Sequence, residues 1–73
     1  MKFTWEDLVI TRSDAPERFR PNQAGVIVGL YRIESDGAAA ARGYLVGTVL
    51  YTAEFPDGSA AEVPEEFLVA VSV

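Results

Sequence analysis

The chain has 73 residues, 49% of them apolar and 23% charged, with no cysteine and no histidine. That composition suits one small globular domain and argues against disorder. It excludes disulfides, Cys/His zinc sites and histidine-based catalysis within the chain. The net charge of −5 is unevenly placed. Residues 1–45 carry six basic and six acidic side chains, whereas residues 46–73 carry no basic residue and five acids: Glu54, Asp57, Glu62, Glu65 and Glu66. Nucleic acid is repelled by such a half, and a basic protein surface is attracted to it.

The N-terminal Met1-Lys2-Phe3-Thr4-Trp5-Glu6-Asp7 reaches acids without an apolar stretch, so no signal peptide is expected, and no apolar run approaches the length of a membrane helix. Cytoplasm is the default expectation. Short β-branched and aromatic runs between turn residues then predict strands. The first covers residues 7–12. Ser13 to Phe19 follows, where Asp14 and Glu17 have capping-box spacing around Pro16; this fits one helical turn or a plain loop. Pro21-Asn22-Gln23-Ala24-Gly25 reads as a turn.

The second strand, 26–33, is apolar at nearly every position, as in a central strand covered on both faces where it begins. Gly29 inside it predicts a bulge or bend. Glu34 to Gly47 is a long connection containing four alanines. It is either an insertion with a frayed helical turn or a functional loop that offers Tyr44 and Leu45 to a partner. The third strand, 48–55, alternates with period two and puts Val49, Tyr51, Ala53 and Phe55 inward. Pro56-Asp57-Gly58-Ser59 predicts a hairpin turn, 60–63 a fourth strand, Pro64 to Phe67 one 3₁₀ turn, and 68–73 a fifth strand. These elements describe an all-β single domain, 1–73: a small SH3-like five-stranded barrel with a long loop after strand two and a one-turn 3₁₀ helix before the last strand. The expected core is Leu8, Ile10, Val26, Val28, Leu30, Val49, Tyr51, Phe55, Val63, Phe67 and Val69.

Little in the chain points to catalysis. Glu62, Glu65 and Glu66 lack the spacing of a calcium loop, and adjacent glutamates before a strand read more simply as a solvated turn. The glycines do not form a phosphate loop. No catalytic residue, metal or cofactor is expected, and the chain is read as a non-enzyme. Trp5 either caps the barrel end or stands exposed as an aromatic anchor. Arg12, Arg18 and Arg20 flank Phe19, the one patch resembling a nucleic-acid footprint, with Asp14 and Glu17 beside it to cancel part of its field.

Three segments carry a resemblance: Ala24-Gly25-Val26-Ile27-Val28-Gly29-Leu30-Tyr31, Tyr51-Thr52-Ala53-Glu54-Phe55-Pro56-Asp57-Gly58, and Val63-Pro64-Glu65-Glu66-Phe67-Leu68. They are similar to a pattern of small bacterial SH3-like domains, a G-x-V-x-G strand followed by Y-x-V-x-F-x-D-G and a P-E-x-x-L ending. Within that set the chain most resembles stand-alone immunity proteins of bacterial toxin systems, of the immunity-protein-31 type, over residues 6–70 apart from the longer segment at 34–47. The resemblance implies stoichiometric occlusion of a cognate toxin with no catalytic residue. The acidic half suggests a basic active site as the target, with Asp57, Glu62, Glu65 and Glu66 supplying charge and Tyr44 or Trp5 as aromatic anchors. When free, the chain is expected to be a monomer. Two other classes compete: a nucleic-acid-binding barrel using Arg12, Arg18, Arg20 and Arg32, and an accessory subunit of a larger enzyme.

Overall fold

A computed structural model describes residues 2–71. Its elements run β1 (Leu8–Thr11), η1 (Glu17–Phe19), β2 (Ala24–Arg32), α1 (Asp36–Arg42), β3 (Val49–Glu54), β4 (Ala60–Pro64), η2 (Glu65–Phe67) and β5 (Leu68–Ala70), the η elements being 3₁₀ turns. All strand pairs are antiparallel, in the order β4-β3-β2-β1-β5. The SH3-like barrel is thus laid out as one open sheet. β4 and β5 are its edges, and η2 joins them along the chain. Of the fifth strand expected at 68–73, the ladder holds Leu68–Ala70, and residues 72 and 73 lie outside the described residues.

The β2–β3 register shifts between Ile27 and Gly29, which makes Val28 the extra residue of the bulge that Gly29 predicts. A β-carbon on Gly29 would come within 3.2 Å of the Thr52 hydroxyl, so glycine lets the neighbouring strand close in. The Pro56–Ser59 turn closes as expected. The Phe55 amide donates to the Ser59 carbonyl at 2.8 Å, and Gly58 takes the positive φ of 85°.

The core gathers Phe3, Val9, Phe19, Ile27, Val49, Tyr51, Val63 and Leu68. Val49, Tyr51, Ala53 and Phe55 are all buried, as the period-two pattern requires. β1 has the opposite phase to the expected one. Val9 and Thr11 are buried, whereas Leu8 and Ile10 are exposed. Val28 and Val69 are exposed too, and Val26, Leu30 and Phe67 are only partly buried. The reason is that Leu8-Val9-Ile10 is apolar throughout, so alternation cannot choose a face. The choice falls to Thr11, whose buried hydroxyl accepts from the Gln23 amide at 2.9 Å and donates to the Arg20 carbonyl. Those bonds lie on the inward side and carry Val9 with them.

Two other expectations are corrected. Asp14 does not cap a helical turn. η1 begins after Pro16 with no side-chain cap, and Asp14 instead accepts from Arg12. The alanine run is a capped helix, α1, rather than a frayed turn, and the loop that carries Tyr44 and Leu45 is the part of the connection after it. Ser35 Oγ accepts from the Ala38 amide at 3.1 Å, and Gly43, at a φ of 76°, sends its own N–H to the Ala39 carbonyl. Capping at both ends offsets the shortness of a seven-residue helix.

Candidate interaction cleft

The connection after α1 and the 3₁₀ turn η2 meet across the start of β3. Between them lies an open cleft of about 430 Å³, lined by Tyr44, Leu45, Thr48, Val49, Pro64, Glu65 and Glu66 together with Gly43 and Gly47. The local chemistry explains the shape. Gly43 ends α1 and Gly47, at a φ of 93°, turns the chain into β3, so the intervening Tyr44-Leu45-Val46 stands out as a short arch. Tyr44 packs inward against the core, while Leu45 is 82% exposed. On the other wall, Pro64 sets the extended entry to η2 and leaves Glu65 and Glu66 adjacent at the rim.

The two glutamates do different work. Glu65 accepts from the Tyr51 hydroxyl at 2.6 Å and from the Lys2 amide at 3.0 Å. The Tyr51 hydroxyl in turn accepts the Phe3 amide at 3.1 Å, and the two rings meet edge to face at 5.3 Å. The Tyr51 bond holds the Glu65 carboxyl below the ordinary range, whereas burial, reinforced by that bond, pushes the Tyr51 phenol up. Glu65 therefore anchors the N-terminal segment. The Glu66 carboxylate is exposed and takes no part in a hydrogen bond or ion pair among the described residues.

Of the six residues expected at the partner surface, the structure brings together Tyr44, Glu65 and Glu66. Glu62 lies on β4, held by a bidentate contact from Arg42 at 2.5 and 3.2 Å. The same guanidinium sits 4.9 Å above the Tyr31 ring and so pins the end of α1 to the sheet. Asp57 is in the β3–β4 hairpin, one strand length from Glu65. It caps the Ser59 amide and hydroxyl and pairs with Arg20 at 3.0 Å. The Ser59 bonds, with Arg20 adding to them, lower its carboxyl to about 2. Trp5 is 59% exposed and does not line the cleft.

The acidic half is therefore divided. Two of its carboxylates are matched by arginines that come from residues 1–45, a pairing no local pattern reveals. Of the four arginines of the competing nucleic-acid reading, Arg12 pairs with Asp14, Arg20 pairs with Asp57 and stacks on Phe55, and Arg18 lies over the ring of its neighbour Phe19, while Arg32 stands exposed at the end of β2. Leu45 was legible as an apolar residue in the connection. Pro64 as its opposite wall was not, because it meets Leu45 only through the fold.

No helix among the described residues is long and apolar enough to cross a membrane. Comparison with family models, with curated proteins and with solved structures found no match to this chain.

Proposed function

We propose that this chain is a non-enzymatic protein-binding module that engages a cationic partner through the Tyr44–Glu66 cleft. The resemblance of residues 24–31, 51–58 and 63–68 to immunity proteins supplies the partner class: a cognate bacterial toxin whose basic active site the module covers. The observation that carries the reading is the pairing, in one cleft, of a projecting apolar side chain, Leu45, with a carboxylate that has no partner among the described residues, Glu66. An apolar anchor beside an unspent charge is the combination from which interface hot spots are built. The charge also speeds encounter with a basic surface. Asp57 and Glu62 contribute to the long-range field, but their arginine partners hold them back from direct contact.

The test begins by reading the gene neighbourhood of this chain and expressing any toxin domain encoded there together with it. The expected result is a stoichiometric complex that abolishes toxin activity and weakens as salt is raised. Glu66→Lys and Leu45→Asp should each reduce affinity about tenfold or more, consistent with loss of about 1.4 kcal/mol or more per contact. A complex whose affinity and salt dependence are unchanged by both substitutions would place the contact elsewhere. A neighbourhood with no toxin gene would remove the immunity reading and leave only the binding module.

A further inference from the structure

The chain holds two Asp-Gly steps, Asp36-Gly37 and Asp57-Gly58, and the fold treats them oppositely. After an aspartate, a glycine amide nitrogen can reach the side-chain carboxyl carbon, because no β-carbon hinders the approach. At Asp57 both reacting groups are tied down. One carboxylate oxygen accepts from the Ser59 amide at 3.0 Å and from the Ser59 hydroxyl at 2.6 Å, and the other accepts from Arg20 at 3.0 Å. The Gly58 amide donates to the Phe55 carbonyl at 2.9 Å. Those carboxylate bonds hold Asp57 at about 2, so at about pH 6 only about one molecule in ten thousand has the neutral acid from which a hydroxyl can leave. At Asp36 neither group is held. Its exposed carboxylate takes part in no hydrogen bond or ion pair among the described residues. The Gly37 amide has no acceptor among them either, since the Ile33 carbonyl one turn back takes the Gly47 amide and Ser35 Oγ takes the Ala38 amide. Gly37 faces open space, and α1 has no buried residue, so its first turn opens without disturbing the core.

We infer that Asp36 is a site of spontaneous covalent modification, the slow isomerisation of its peptide link through a cyclic imide, and that the hairpin shields Asp57 from the same reaction. The Gly37 nitrogen attacks Asp36 Cγ. The N–Cγ bond forms, the acid's hydroxyl leaves with the amide proton as water, and a five-membered ring closes. Water then reopens the ring. Breaking the N–Cγ bond restores aspartate. Breaking the bond between that nitrogen and the Asp36 main-chain carbonyl carbon leaves the chain running through the β-carbon, with the α-carboxylate set free. One water is lost and one regained, so the mass is unchanged and no other reactant is needed.

The product differs where α1 can least tolerate it. An extra backbone carbon directly after Ser35 moves the cap out of register with the Ala38 amide, which Ser35 Oγ holds at 3.1 Å, and with the Ala39 amide, which donates to the Ser35 carbonyl at 2.9 Å. A helix of seven residues depends on those bonds. Its last residue, Arg42, is the clamp on Glu62 and Tyr31, so loss of α1 loosens that clamp. The freed α-carboxylate also makes the aged chain a substrate for enzymes that methylate isoaspartyl groups.

Tryptic peptide mapping tests this. Trypsin cuts after Arg32 and Arg42 and meets no later basic residue, so peptides 33–42 and 43–73 carry one Asp-Gly step each. The folded chain is held for weeks in warm, near-neutral buffer, beside a sample unfolded in urea. The expected result is an isomer of unchanged mass in 33–42, methylated by an isoaspartyl methyltransferase and formed at least about tenfold faster than the isomer of 43–73. In urea the two rates should agree within about threefold, because both steps then lack structure. Gly37→Ala should abolish the 33–42 isomer and keep α1, since alanine favours helix and its β-carbon meets nothing within 4 Å. Ser59→Ala should raise the 43–73 isomer by releasing the Asp57 carboxylate. A folded chain in which 43–73 isomerises as fast as 33–42, or a 33–42 isomer undiminished by Gly37→Ala, overturns the inference.

Discussion

Tyr51→Phe removes one oxygen from the centre of the protein and should cost more than its size suggests. The ring is fully buried and its packing against Phe3 survives the change, so the loss is confined to hydrogen bonds. The hydroxyl donates to Glu65 at 2.6 Å and accepts the buried Phe3 amide at 3.1 Å. Glu65 keeps the Lys2 amide and has access to water, so its share of the loss is modest. The Phe3 amide has no other partner among the described residues, and an orphaned buried donor costs about 1–3 kcal/mol. The expected total is about 2 kcal/mol. In a domain of this size that lowers Tm by roughly 10 °C. Urea denaturation and thermal melts of the wild type, Tyr51→Phe, Glu65→Gln and the double variant give the coupling energy directly. The two sites should couple, because removing the hydroxyl already removes one of the two hydrogen bonds that Glu65 accepts. A loss below about 0.5 kcal/mol, or additive losses, would show that the Phe3 amide finds water without penalty and would refute the reasoning.

Two further predictions concern acid and phase. Glu65 has a depressed carboxyl pKa, so its contribution is complete above its ordinary value of 4.5 and is lost as pH falls through the folded value. Asp57 follows at lower pH, between its ordinary 3.8 and about 2. Glu65→Gln should therefore flatten the fall of Tm with pH in the upper part of the acid limb, and superimposable Tm profiles below about pH 5 would contradict this. On β1, Val9→Ala should cost about 2 kcal/mol by opening a cavity, while Leu8→Ala should cost well under 1 kcal/mol. Equal losses in urea denaturation would mean that the strand does not sit in the phase described.

The elements were largely legible in the sequence because their signals are local. β3 alternates apart from the apolar and fully buried Leu50, Gly29 marks the bulge, Pro56 to Ser59 carry turn chemistry, and Pro64 opens the 3₁₀ turn. The site was legible in part. Tyr44, Glu65 and Glu66 were candidates, yet nothing along the chain joins residue 44 to residue 65. Their meeting depends on β3 and β4 folding back on each other, and that is a ladder property. The charge pattern misled for the same reason. Counting along the chain puts all the excess acid in residues 46–73, but Arg20 and Arg42 cross over to match Asp57 and Glu62.

By itself, then, the sequence determined the class: a small all-β domain of five strands, without disulfide or histidine chemistry, whose strands begin and end at residues with fixed backbone preferences. The tertiary structure decided which face of β1 is the core, which carboxylates remain unspent, and which apolar residues are left bare. A strand that is apolar on both sides has two equivalent phases until a buried hydroxyl finds its partners. Thr11 resolves that choice through bonds to Arg20 and Gln23 across the β1–β2 turn. The outward Leu8 and Ile10 are its consequence.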